Sequence, residues 1–152
     1  MTALNRTQAP STEPLTLAEA KAHLRVSVSD DDTLITALIT ATRNICEEFT
    51  QRALITQGWR LWLDSFPGDP IAWWDGMREG ATARLTVNRF VTIPRAPLQS
   101  ISAVTIYADD DSSTVFSPSL YFVDNAAEPG RLALRNNASW PIPQRMSNGI
   151  SI

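Results

Sequence analysis

The sequence predicts an α+β protein, with an N-terminal pair of helices followed by a small antiparallel β-sheet. Between about residues 15 and 50, apolar side chains recur at steps of three and four, which is the period of helices packed on one face. From residue 57 onward, short alternating segments are separated by glycine, proline and aspartate, as in antiparallel strands joined by turns. The predicted parts are a disordered arm over 1–13, a helical part over 14–54 and a β-rich part over 55–152.

The first helix is predicted to begin at a capping box, because Thr16 is followed three residues later by Glu19. The second helix is predicted to run from about Asp31 to Gln51. Acidic residues at 30–32 place negative charge and capping groups at its start. Its apolar positions share one face, which we expect to be buried as the core of the helical part. The residues expected to be buried there are Leu38, Ile45 and Phe49.

The β-rich part is predicted from alternation of apolar and polar residues over short segments. The predicted strands cover 57–66, 84–93, 101–108, 121–123 and 131–134, with a return strand near 115–116 and a last one at the C-terminal GISI. A glycine- and proline-rich loop is predicted from Pro67 to Ala83.

Composition excludes several classes of function. Of 152 residues, 43% are hydrophobic and 19% charged, which is ordinary for a folded domain, and the net charge is −3. A nucleic-acid-binding module is disfavoured, because the sequence has no basic cluster. The single cysteine excludes an intrachain disulfide and a cysteine-based zinc site. No apolar run approaches the roughly 20 residues needed to cross a bilayer.

The sequence predicts no catalytic residue, no cofactor and no metal. His23 is the only histidine, and no motif of serine or carboxylate partners surrounds it, so a structural or surface histidine is favoured. Cys46 lies on the apolar face of the second helix and is interpreted as a buried, inert thiol. The acidic runs 30–32 and 109–111 lack the spacing of a calcium loop and are interpreted as a helix start and a turn.

Two adjacent tryptophans, Trp73 and Trp74, lie in the predicted loop between Pro67 and Ala83. In an extended segment they cannot both face one core, so at least one is expected to be exposed. Exposed aromatic side chains mark interfaces. We therefore predict that Trp73 or Trp74 makes an intersubunit contact or a contact with a partner protein, the alternative being a loop that covers the sheet.

The order of these elements resembles that of the phage head–tail connector family, the adaptor proteins below the portal of long-tailed phages and gene transfer agents. The resemblance rests on several loose motifs in a fixed order rather than on one diagnostic motif. It extends over about residues 14–141 and is strongest to the longer adaptors, which carry a β-rich insertion after the second helix. The segments that carry it are PLTLAEAKAHLRV, DDDTLITALITATRNICEEFTQRAL, QGWRLWLDSFP, IPRAPLQSISAVTIYADD, YFVDNAAEPGRLAL and ASWP.

The resemblance implies a structural, non-enzymatic protein of the head–tail junction, assembled in the host cytoplasm. It implies a homo-oligomeric ring of about twelve copies. The implied partners are the portal protein on one side and stopper or tail proteins on the other, with DNA passing through the channel. A net charge of −3 is compatible with such a channel, because a conduit must not hold the polymer that passes through it.

A second hypothesis belongs to a different class. The chain could instead be a small enzyme or ligand-binding domain with a site near His23 and the Trp73–Trp74 loop. A ring or a portal-bound species would support the adaptor, whereas a monomer with a deep apolar pocket would support the enzyme.

Overall fold

A computed structural model of the chain describes residues 2–66 and 89–152. These residues form two α-helices and two antiparallel sheets, so the predicted α+β fold is confirmed. The chain divides into two compact units. The first, here called the β unit, consists of Met1–Asn5 and Trp59–Ile152, and the second, the helical unit, is the intervening Arg6–Gly58.

The described helices and strands have the following bounds. The helices are α1 (Leu17–Leu24) and α2 (Asp32–Thr50). The strands are β1 (Thr2–Gln8), β2 (Gly58–Leu63), β3 (Phe90–Thr92), β4 (Thr105–Tyr107), β5 (Ser113–Val115), β6 (Tyr121–Asp124), β7 (Arg131–Leu134) and β8 (Ile150–Ser151). A 3-10 turn, Pro118–Leu120, precedes β6.

The helix starts are set by local polar chemistry. The predicted capping box is present, since the Glu19 backbone N–H donates to Thr16 Oγ1 at 3.2 Å and the Glu19 carboxylate accepts from the Thr16 N–H at 2.9 Å. At the start of α2, the Asp31 side chain makes no capping hydrogen bond. Asp32 instead pairs with Lys21 of α1, so the acidic run joins the two helices and places negative charge in the first turn of α2.

The larger sheet has the strand order β1-β2-β8-β4-β5, and the smaller one β3-β7-β6. Strand β8 is central in the larger sheet, with Ile150 paired to Leu63 on one side and to Ile106 on the other. Ile150 is completely buried. The C-terminal segment, which the sequence predicts as a strand, therefore holds the middle of this sheet together.

The apolar core belongs to the β unit and is built from side chains of both sheets. Its buried members are Leu61, Phe66, Val91, Val104, Phe116, Tyr121, Leu132, Leu134 and Ile150. Phe66 stacks on Trp140 with ring centroids 4.2 Å apart and packs against Phe116 at 6.5 Å. The short strands are therefore held by a shared aromatic and aliphatic interior rather than by long ladders of hydrogen bonds.

The N-terminal arm differs from the prediction. Residues 2–8 lie within the arm predicted to be disordered over 1–13, yet they form β1 beside β2. Leu4 packs on the core, and Gly58 permits a close approach, since a Cβ there would lie 3.0 Å from Gln8 Cβ. The small and polar residues of this segment do not predict a strand, because its partner, β2, lies some fifty residues later in the chain.

The packing of α2 also corrects the prediction. The helix has almost the predicted bounds, but Leu38, Ile45 and Phe49 are 54%, 69% and 89% exposed instead of buried. The buried residues of α2 are Ile35, Arg43 and Glu47. The periodicity identified the helix and its apolar face correctly, but the face that is buried in the structure is the one that carries Arg43 and Glu47.

Because Leu38 is half exposed, we expect Leu38→Ala to change the free energy of unfolding of the isolated chain by less than about 1 kcal/mol. A fully buried leucine would cost about 2–5 kcal/mol. Urea denaturation followed by circular dichroism at 222 nm measures the difference. A loss in the range for buried leucine would show that the exposed face is covered within one chain.

Candidate assembly surface

One side of α2 carries a row of exposed apolar side chains, here called the α2 stripe. Its members are Leu34, Leu38, Ala41, Ile45 and Phe49. They are separated by steps of four, three, four and four residues, so they lie along one side of the helix. All five are exposed, although apolar rows of this kind are usually buried.

The opposite side of α2 is occupied by a network of charged groups. Arg43 Nε lies 2.6 Å from Glu13 Oε2, and Arg43 Nη1 lies 2.9 Å from Glu47 Oε2. Thr40 Oγ1 donates to the other oxygen of Glu13 at 2.9 Å. Arg43 and Glu47 are only 5% and 4% exposed, so this is a buried ion pair with its hydrogen-bonding capacity largely used.

The same network also binds the chain segment that precedes α1 and the segment that follows α2. Glu13 belongs to the segment before α1, and its contact with Arg43 fixes that segment to the middle of α2. Glu47 Oε1 accepts from the Leu54 backbone N–H at 2.9 Å and from Gln57 Nε2 at 2.7 Å, which fixes the segment after α2. The segments before α1 and after α2 are therefore bound on the side of α2 that faces away from the α2 stripe.

The network lowers the pKa of Glu13. The cause is chiefly the hydrogen bond from Arg43, aided by Thr40 and opposed by partial burial of the carboxyl. A carboxyl whose folded pKa lies below its unfolded value stabilises the fold above the unfolded pKa. That contribution is lost as the pH falls through the folded pKa.

We therefore expect acid to weaken the helical unit. The urea midpoint of the helical signal should be steady from pH 7 to about pH 5 and should fall below about pH 4.5, where an unfolded glutamate begins to take up a proton. The pKa of Glu19 is also lowered, by its hydrogen bonds to Thr16, so the effect of Glu13 must be separated. Glu13→Gln should lower the midpoint at pH 7 and reduce its fall in acid. An unchanged pH profile in that variant would contradict the assignment.

The structure also places the histidine and the cysteine that were considered from the sequence. His23 is exposed in the last turn of α1. Cys46 is exposed as a free thiol, which corrects its interpretation as a buried one. Among residues 2–66 and 89–152, no group of three histidine, cysteine, aspartate or glutamate side chains could hold a metal ion. Within the same residues, neither helix is long and apolar enough to span a membrane.

The two acidic runs have local structural roles. Asp32 pairs with Lys21, as described above. In the second run, Asp110 Oδ1 accepts from the Ser112 backbone N–H at 3.0 Å, which stabilises the turn between β4 and β5. Trp73 and Trp74 lie outside the described residues, so their assignment to an interface stays a prediction.

Sequence analysis missed the α2 stripe as a candidate site, although its residues were recognised. The signal that could have revealed it is the second, charged row on the same helix, Arg43 and Glu47 four residues apart. Because Glu13 precedes the helices and can pair with Arg43, an ion-pair network could bury the charged side of α2. If the charged side is buried in this way, the apolar row on the opposite side of α2 has no partner within the helical pair.

Comparisons with known proteins identify a family and a similar fold. The family model described as phage gp6-like head–tail connector protein matches residues 14–108. A chain from a solved structure, the neck of an empty GTA particle computed with C6 symmetry, is similar in fold with a TM-score of 0.70. That match has 23% sequence identity and covers 99% of this chain and 68% of the other. No curated protein matches.

The family match covers more than half of the chain, including α1, α2, β2, β3 and β4. The protein therefore belongs to the phage gp6-like head–tail connector family, as a structural protein of the head–tail junction in a phage-like particle.

Proposed function

We propose that copies of this chain assemble into a ring between the portal and the stopper or tail proteins, around the channel through which DNA passes. The observation that carries the proposal is the exposed α2 stripe on a member of a connector family. A helix that leaves Ile45 and Phe49 largely in water is completed by assembly, because burying apolar surface is the main driving force of association.

Repeated copies are also favoured by the similar neck structure. That particle's neck was computed with sixfold symmetry, which places each of its chains in a repeated arrangement. We propose about twelve copies in the ring of this protein, a number compatible with sixfold symmetry. The net charge of −3 suits passage of DNA without sequence-specific binding.

The proposal is tested by removing the gene from a cell that produces the particle and imaging the products by electron microscopy. We expect filled heads that lack tails, restored to tailed particles by the wild-type gene. Cryo-electron microscopy of the restored particles should show the chain as a ring directly below the portal. Normal tailed particles in the absence of the gene would refute the proposed function.

A further inference from the structure

We propose that Asn148 and Gly149 form a site of spontaneous covalent modification, at which water converts the asparagine to aspartate and isoaspartate, and that this change weakens the attachment of the central strand of the larger sheet. The modification is independent of the proposed function, since it changes the folded chain itself. The pair lies directly before β8, whose Ile150 is completely buried. A change at this point therefore acts on the interior of the β unit.

The backbone explains why asparagine and glycine occupy these two positions. Asn148 has a φ of 51°, in the left-handed region, which asparagine adopts more readily than most residues with a side chain. At position 149, a Cβ would lie 2.7 Å from the carbonyl oxygen of Arg145 and 2.7 Å from Cβ of Pro143. Glycine is therefore the residue that fits there without a shift of the backbone. The turn before β8 requires these two residue types in this order.

The same order makes the pair chemically reactive. The backbone nitrogen of Gly149 can attack Cγ of the Asn148 side chain, because glycine has no Cβ to hinder the approach. A bond forms between this nitrogen and Cγ, and the bond from Cγ to the side-chain nitrogen breaks. The side-chain nitrogen leaves as ammonia, with the proton that the Gly149 nitrogen has lost. The product is a cyclic imide.

Water then opens the imide at either of its carbonyl carbons. Cleavage of the bond between Cγ and the ring nitrogen gives aspartate at position 148. Cleavage of the bond between the backbone carbonyl carbon and the ring nitrogen gives isoaspartate, in which the main chain continues through the former side chain. In both cases the water oxygen stays on the carbon as a carboxylate and a proton returns to the nitrogen, so the reaction needs no reagent besides water.

The reacting groups are accessible in the folded chain. Asn148 is exposed, as are Met146 and Ser147 before it, and among the described residues the Asn148 side-chain amide forms no hydrogen bond. The carbonyl of Gly149 accepts from the Tyr107 N–H at 2.9 Å. The backbone hydrogen bonds of the described residues include none that the Gly149 N–H donates. The attacking nitrogen is therefore not held by a carbonyl in this part of the chain.

The modification changes the contacts that position β8. The Asn148 N–H donates to Asp64 Oδ1 at 2.9 Å, next to the end of β2, and the Gly149 carbonyl accepts from Tyr107 of β4. Isoaspartate lengthens the main chain between residues 148 and 149, so these two hydrogen bonds no longer match the register of Ile150. Both products also add a negative charge close to the Asp64 carboxylate, and like charges repel. We therefore expect β8 to be held less firmly between β2 and β4.

The test is a time course on the purified full chain. The folded protein is incubated in mildly alkaline and in mildly acidic buffer and is then digested with trypsin. Trypsin cleaves after Arg135 and Arg145, so Asn136 and Asn137 lie in one peptide and Asn148 lies in the next. Asn136 and Asn137 are also exposed but are followed by asparagine and alanine, so they serve as internal controls. Mass spectrometry measures the gain in mass when an amide NH2 is exchanged for OH.

We expect the peptide that contains Asn148 to gain this mass on the order of tenfold faster than the control peptide, a difference of about 1.4 kcal/mol in activation free energy. The rate should be higher in the alkaline buffer, because the attacking nitrogen must lose its proton. Chromatography should separate the product into an aspartate and an isoaspartate form. Equal rates for the two peptides of the folded chain would overturn the inference.

The variant Asn148→Gly separates the effect of this modification from changes elsewhere in the chain. Glycine adopts the same φ and keeps the N–H that donates to Asp64, but it has no side-chain amide. After incubation in the alkaline buffer, urea denaturation followed by tryptophan fluorescence should show a lower midpoint for the wild type and an unchanged one for the variant. Equal shifts in the two proteins, or a constant wild-type midpoint after Asn148 has been converted, would contradict the effect on β8.

Discussion

Arg43→Leu is expected to destabilise the helical unit by about 3–5 kcal/mol, which is the usual cost of removing one partner from a buried ion pair. The substitution takes away the guanidinium that neutralises Glu47, a carboxylate only 4% exposed. It also releases Glu13, and with it the segment before α1. The measurement is a urea titration followed by circular dichroism at 222 nm, since both described helices lie within the helical unit.

The matched control for this variant is Arg135→Leu, the same change at an exposed arginine of the β unit. We expect the control to shift stability by no more than about 0.5 kcal/mol. A double variant, Arg43→Leu with Glu47→Leu, should recover part of the loss, because replacing both members of a buried pair by apolar groups removes the uncompensated charge. If Arg43→Leu is as stable as the control, the network does not hold the helical unit together.

Phe66→Ala is expected to destabilise the β unit by about 3–5 kcal/mol, because it removes a large aromatic side chain from a closed core. Phe66 is 2% exposed, stacks on Trp140 and packs against Phe116. The tryptophans that the structure describes, Trp59, Trp62 and Trp140, belong to the β unit, so fluorescence follows the unfolding of this unit. Denaturation followed by fluorescence should therefore show an earlier transition.

The control for Phe66 is Phe122→Ala, which removes the same side chain from a half-exposed position in β6. We expect it to cost about 1 kcal/mol or less. Equal losses in the two variants would show that the stacking of Phe66 with Trp140 contributes little to the core.

The sequence was sufficient where structure depends on neighbours in the chain. The capping box of Thr16 and Glu19 and the bounds of α2 follow from side chains that act within one or two helical turns. The strand at Arg131–Leu134 was also predicted correctly, since alternation and turn residues define it locally. The strand predicted over 101–108 is reduced to Thr105–Tyr107, because its length depends on partners elsewhere in the chain.

The sequence was insufficient where structure depends on distant partners. β1 is a strand because β2 lies beside it, and nothing within residues 2–8 identifies that partner. Likewise, the periodicity of α2 shows that Leu38 and Ile45 share an apolar side but does not show which molecule covers it. The burial of Arg43 depends on Glu13, thirty residues earlier, and a charged position is normally assigned to the surface.

The position of the helical unit between β1 and β2 has a consequence for variation among related proteins. Neighbouring strands of one sheet hold both ends of this unit, so it is an insertion in the β unit and not an appended tail. The entropy of closing such a connection rises only with the logarithm of its length, by about 0.6 kcal/mol for each doubling. The entropy of loop closure therefore sets only a weak limit on the length of this insertion, so the strand order of the sheet does not by itself fix the size of the helical unit.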